Sequence, residues 1–188
     1  MTEEQMNQIN ALENPADCRE LLETAKKQRD RDFENAINQR YDEIRISRLK
    51  TEKECDNFAL NAATQNRHDL LEAIHRRSIE LSLRQHPGFS QLREVEIECL
   101  RVIYAYEKAN RLLKGHNHKA TYTWKAIKQN GITQAVERIV CKSKPAMGFT
   151  TLENVGLKNC SFEAVVLKYP NAFSATALDK AKNRLSSH

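Results

Sequence analysis

Within eighteen residues the chain places Arg111, Lys114, His116, His118, Lys119, Lys125 and Lys128, with Tyr122 and Trp124 set among them. Ammonium and guanidinium groups neutralise phosphate, and exposed aromatic rings stack on bases, so this mixture points to a nucleic-acid surface. The charge is local. Residues 101–145 hold ten Lys and Arg against Glu107 and Glu137, a net of +8, in a chain whose formal net charge is +5. Residues 1–100 hold 15 Lys and Arg against 20 Asp and Glu, and residues 146–188 hold five against three. Such asymmetry marks an anion-binding half. The plainer alternative is a set of solvated helix faces, and Trp124 reads first as a core residue.

The stretch 121–142, TYTWKAIKQNGITQAVERIVCK, also has the outline of a helix–turn–helix. That unit needs a small residue in its first helix, a tight turn, and an apolar residue about ten positions on. Ala126 and Val136 meet that spacing. Gly131 falls one place late, with Asn130 where glycine is usual, and the turn sets the crossing angle. The second helix would turn Thr133, Gln134, Glu137 and Arg138 outward, with Lys142 at its end. Gln and Arg can read base edges and Thr can bond phosphate, whereas Glu137 would repel it. The competing reading is a plain helical hairpin.

Other chemistry finds little support. His116 and His118 offer two metal ligands without a third nearby, so no metal is expected. The chain has no Gly-rich phosphate loop, nucleophile elbow or HExxH motif, so no enzyme and no cofactor are expected. Cys18, Cys55, Cys99, Cys141 and Cys160 are widely spaced with no C-x-x-C pair, which indicates a reducing, cytoplasmic setting. No apolar run approaches the roughly 18 residues that cross a bilayer, and the first ten residues do not resemble a secretory signal.

The elements that must position these residues are helical throughout. Leu92, Val95, Cys99, Val102, Tyr106, Ala109 and Leu113 recur at steps of three and four, and Leu100, Ile103 and Leu112 widen the stripe. This predicts a central core helix over 90–114, capped by Ser90 and ended by Gly115. Before it, Asn14-Pro15 starts a helix over 15–28 after a weak one at 3–12. With no Gly or Pro between Pro15 and Pro87, the pattern predicts a long antiparallel hairpin turning near 64–67. After the central helix, Thr121 caps a short helix and Ile132 begins another, and three more follow: one from Thr150, with Glu153 completing a capping box and Gly156 as its stop, and two started by Ser161 and Ser174. The expected fold is all-α: an N-terminal arm over 1–86, suited to dimerisation or docking, then a basic domain over 87–188 made of the central helix and a module of short helices.

Residues 90–185 resemble a family of small uncharacterised helical proteins carried by bacterial phages, plasmids and integrated elements. The matching pieces are Tyr104-Ala105-Tyr106-Glu107, Thr121-x-Thr123-x-x-Ala126-x-x-x-x-Gly131, Gly148-Phe149-x-x-Leu152, Gly156-Leu157, and the run from Glu163 through Tyr169-Pro170 to Phe173-Ser174. The Asn14-Pro15 start is also similar, whereas 45–86 looks like an addition or a divergent part. These are packing and turn residues, so the resemblance implies one helical fold and a mobile-element setting, with no active site. The expected function is a non-enzymatic, homodimeric accessory protein that binds nucleic acid or a nucleoprotein complex. The alternative is an inhibitor that docks on a host defence protein, such as a restriction or CRISPR complex.

Overall fold

The computed structural model describes residues 1–115, 118–143, 148, 151–152 and 160–186, and all regular structure within them is helical. The chain divides into two compact units, Met1–Ser78 and Ile79–His188. The division falls inside the helix that ends at Arg84, ahead of the expected break after His86.

In the first unit, α1 (Glu3–Asn10), α2 (Pro15–Gln28) and α3 (Arg31–Ser47) enclose a core of Ile9, Leu12, Cys18, Ala25, Phe33, Ile37 and Ile44. Burying Phe33 and Ile37 completely contributes about 1.5–3 kcal/mol each. Asn14 caps α2 as expected: its side-chain oxygen accepts from the N–H groups of Ala16 and Asp17, worth about 1 kcal/mol. The long hairpin does not form as predicted. The helix from Arg31 stops at Ser47, and α4 (Glu52–Thr64) begins after a four-residue break. Thr51 causes the restart, accepting from the Glu54 N–H while the Glu54 carboxylate accepts from the Lys50 N–H. The turn at 64–67 is present, with Asn66 in the left-handed region. Helix α5 (Leu71–Arg84) follows. Where the apolar stripe is thin, arginines make the connections. Arg67 reaches the buried Asp42 at 2.7 Å, and Arg77 lays its fork on the Leu49 carbonyl at 2.8 and 3.1 Å.

In the second unit, α6 (Glu94–Lys114) is the central helix. Val95, Cys99, Leu100, Val102, Ile103 and Ala109 are buried as the spacing predicts. Burial pushes the Cys99 thiol up to about 12. Ser90 is not the cap: it lies in a 3-10 turn, and α6 begins after Arg93, whose N–H donates to the Glu96 carboxylate at 3.0 Å. The apolar stripe also ends early, since Leu112 and Leu113 are 54% and 60% exposed on a last turn that extends past the core. Gly115 ends the helix at φ 71°.

Helices α7 (Thr121–Asn130) and α8 (Ile132–Val140) are separated by Gly131 alone. Its φ of 80° lies where side-chain-bearing residues are strained, which lets one helix stop and the next start with no loop between. Then come α9 (Phe162–Lys168), capped by Ser161, and α10 (Ala175–Ser186), whose start Ser174 caps. Helix α8 packs against α6, α7, α9 and α10, whereas α7 has no fully buried residue and lies on the outside. The expected capping box at Thr150 with Glu153, and the stop at Gly156, lie outside the described residues.

Candidate nucleic-acid interface

Helix α7 holds no carboxylate, and neither does any residue from Lys108 to Val136. Thr121, Tyr122, Lys125, Lys128 and Gln129 are all exposed, and at 100° per residue they share one face. Ile127 packs inward with Trp124. Tyr122 is 92% exposed. Tyr122, Lys125 and Lys128 are thus aligned one turn apart along an outer helix.

The acids at either end of this stretch each accept from the backbone at the start of a helix. Glu107 is buried, and one of its oxygens accepts from the Ala120 N–H at 2.8 Å and the Trp124 Nε1–H at 2.7 Å. Its other oxygen pairs with Lys119 at 3.2 Å. Glu107 therefore does what Thr121 was expected to do. Thr121 is the first residue of α7, no side chain of α7 itself caps the helix, and a carboxylate from α6 holds its entry instead. Glu137, expected to repel phosphate, accepts from the Ser174 N–H at 3.3 Å, at the start of α10.

Trp124 packs against the core, which removes it as a stacking platform. Its ring stacks on His86 with centroids 5.6 Å apart and tilts against Tyr104 at 5.7 Å. His86 Nδ1 lies 3.0 Å from the Tyr104 hydroxyl. Burial lowers the His86 pKa below its usual 6.5, because the charged imidazole loses solvation. The sign follows from linkage. As pH falls below about 6.5, the unfolded chain gains this proton before the folded one does, so stability is lost until the pH reaches the lowered folded value, where the loss levels off. The urea midpoint, followed by the emission of the single Trp, is expected to drop over that window in the natural chain. In His86→Gln this part of the drop is absent, and equal pH profiles would refute the assignment.

The remaining sequence-predicted residues are spread more widely. Arg111 and Lys114 lie on the last turn of α6, and His118 sits edge-on to Tyr106 at 6.1 Å. His116 lies outside the described residues. Gln134 and Arg138 form a narrow exposed stripe on α8, and Arg138 donates to the Asn130 side-chain oxygen. The Lys142 side chain is exposed, while its carbonyl accepts from Lys180 and Arg184. Lys119 is neutralised by Glu107, but Lys125, Lys128 and Lys142 form no ion pair among the described residues. Nor do the described residues hold a group of three metal-ligating side chains.

Sequence reasoning passed over Glu107 as a functional residue. The available signal was a lone acid inside the apolar stripe of a core helix, one turn from Tyr104. Among the described residues, no helix is long and apolar enough to cross a membrane. No protein-family model, curated protein or solved structure matches the chain.

Proposed function

We propose that this protein binds nucleic acid through the outer face of α7, as a non-enzymatic accessory protein of a phage or other mobile element. The supporting observation is the pairing pattern around that face. Lys125 and Lys128 form no ion pair among the described residues and stand beside an exposed Tyr122, while the carboxylates that flank the stretch, Glu107 and Glu137, bond to helix starts within the fold. A field of one sign on an outer helix attracts a polyanion and speeds its encounter. The second reading is docking on a host defence protein through the N-terminal helices. The apolar faces of α1, α2 and α3 close on a core of their own, which leaves that reading with less behind it.

The test is fluorescence anisotropy with labelled 30-nucleotide DNA, single-stranded and duplex, across about 50 to 200 mM salt. Binding should weaken steeply with salt. Lys125→Glu combined with Lys128→Glu should weaken it more than tenfold and flatten the log–log salt slope by about 1.4 to 1.8, the value of two lost phosphate contacts. An unchanged affinity would remove this face from the account.

A further inference from the structure

We infer that the occupant of the α7 face is a single strand, held by a base stacked on Tyr122 with the following phosphates over Lys125 and Lys128. This inference rests on the proposed nucleic-acid reading and goes further, by naming the form of the ligand.

Three observations carry it. The first is the exposure of Tyr122: at 92%, the ring contributes almost nothing to the fold and both of its π-faces are open. An aromatic ring open on both faces and flanked by cations is the combination that binds single strands, whose bases are free to stack. The second is register. Lys125 and Lys128 follow at one and two turns, about 4.5 and 9 Å along the helix axis. A strand lying along α7 from Tyr122 therefore meets a cation at each successive turn, and no carboxylate on that helix.

The third observation concerns the duplex alternative. Reading a duplex requires a recognition helix with a broad free face to enter the major groove. Helix α8, the candidate for that role, buries Ile132, Ala135, Val136 and Val140. Its flanks are also engaged, Thr133 by the Arg93 guanidinium at 3.0 Å and Glu137 by the Ser174 N–H. Only Gln134 and Arg138 of α8 are exposed, and Arg138 is already bonded to Asn130. Side chains that project from a groove-reading helix are here built into the core and its rim.

The experiment compares the full-length chain with Tyr122→Ala and Tyr122→Trp, using a labelled 20-nucleotide oligo-dT and a duplex of equal length at one salt concentration. The natural chain should bind the single strand at least tenfold tighter than the duplex. Tyr122→Ala should weaken single-strand binding about 5- to 150-fold, the range of one lost base stack, and leave duplex binding unchanged. Tyr122→Trp should retain or improve it. Because the ring is on the surface, circular dichroism of both variants should match the natural chain. If Tyr122→Ala binds oligo-dT normally while the double lysine variant does not, the stacking inference fails and the nucleic-acid reading stands. If neither DNA binds the natural chain in a salt-dependent way, both fail.

Discussion

Arg184→Met is expected to destabilise the second unit by about 3–5 kcal/mol, more than any other single change considered. The Glu163 carboxylate lies in the first turn of α9 with 3% of its side chain exposed, and the Arg184 guanidinium reaches it at 2.7 Å from α10. The other arm of Arg184 donates to the Lys142 carbonyl at 2.6 Å, so one side chain ties α10 to α9 and to the end of α8. Removing the cation leaves the buried Glu163 carboxylate without this partner. The partial positive charge at the start of α9 offsets a fraction of that cost. The pair need not be worth much in itself, because desolvating two ions cancels most of their attraction. Glu163→Leu together with Arg184→Met should therefore return to within about 1 kcal/mol of the natural chain, a non-additive result that identifies an ion pair rather than a packing defect. Urea unfolding followed by Trp124 emission reports on this unit alone, since Trp124 lies within it and the chain has no other Trp. If Arg184→Met costs under about 1 kcal/mol, or the double variant is worse than the single, the two side chains are not coupled as described.

The sequence made the apolar side of each helix legible and left much of the polar side unread. The spacing of Val95, Cys99, Val102 and Ala109 identified the central helix, because burial repeats with the helical period. Asn14, Ser161 and Ser174 identified helix starts, because a local side-chain oxygen meets a local N–H. Where the partner was distant in sequence, the same logic failed. Thr121 looked like a cap, but the acceptor that holds the entry to α7 is Glu107, thirteen residues earlier on another helix. The break at 48–51 was missed for a different reason. It needs neither Gly nor Pro, only Thr51 and Glu54 at capping-box spacing, a short signal hidden in a charged run.

The candidate interface was legible as composition and not as geometry. Ten cations between 101 and 145 can be counted, but which of them are spent on carboxylates depends on tertiary contacts. Lys119 looked equivalent to Lys125 and Lys128, yet among the described residues it alone of the three is neutralised. Tyr122 and Trp124 both offered rings for stacking two positions apart, and Trp124 read first as a core residue. A helix turns by about 200° over two residues, so when one ring meets the core the other must face solvent. Helical geometry thus separated them, once the helix was known to lie on the outside with Trp124 against His86.

Glu107→Ala should be the second costly change, at about 2–4 kcal/mol, and it ties the fold to the proposed interface. The substitution leaves the Ala120 N–H and the Trp124 Nε1–H without their acceptor, and unmade bonds at buried donors cost about 1–3 kcal/mol each. Glu107→Gln separates the two jobs of the carboxylate. Its single carbonyl oxygen can keep both N–H donors, because in the natural chain both bond to the same oxygen. What it loses is the ion pair with Lys119, whose side chain is 73% exposed, and pairs so well solvated are worth little. Glu107→Gln should therefore retain most of the stability and leave the Trp124 emission unshifted, while Glu107→Ala lowers the urea midpoint and moves that emission to the red as water reaches the indole. Binding should divide the same way. With α7 held in place and Lys119 released, Glu107→Gln should bind DNA at least as tightly as the natural chain. With the entry to α7 loosened, Glu107→Ala should bind more weakly, although no residue on the binding face has changed. Equal effects from the two substitutions would mean that charge at Glu107, and not its hold on α7, sets the interface.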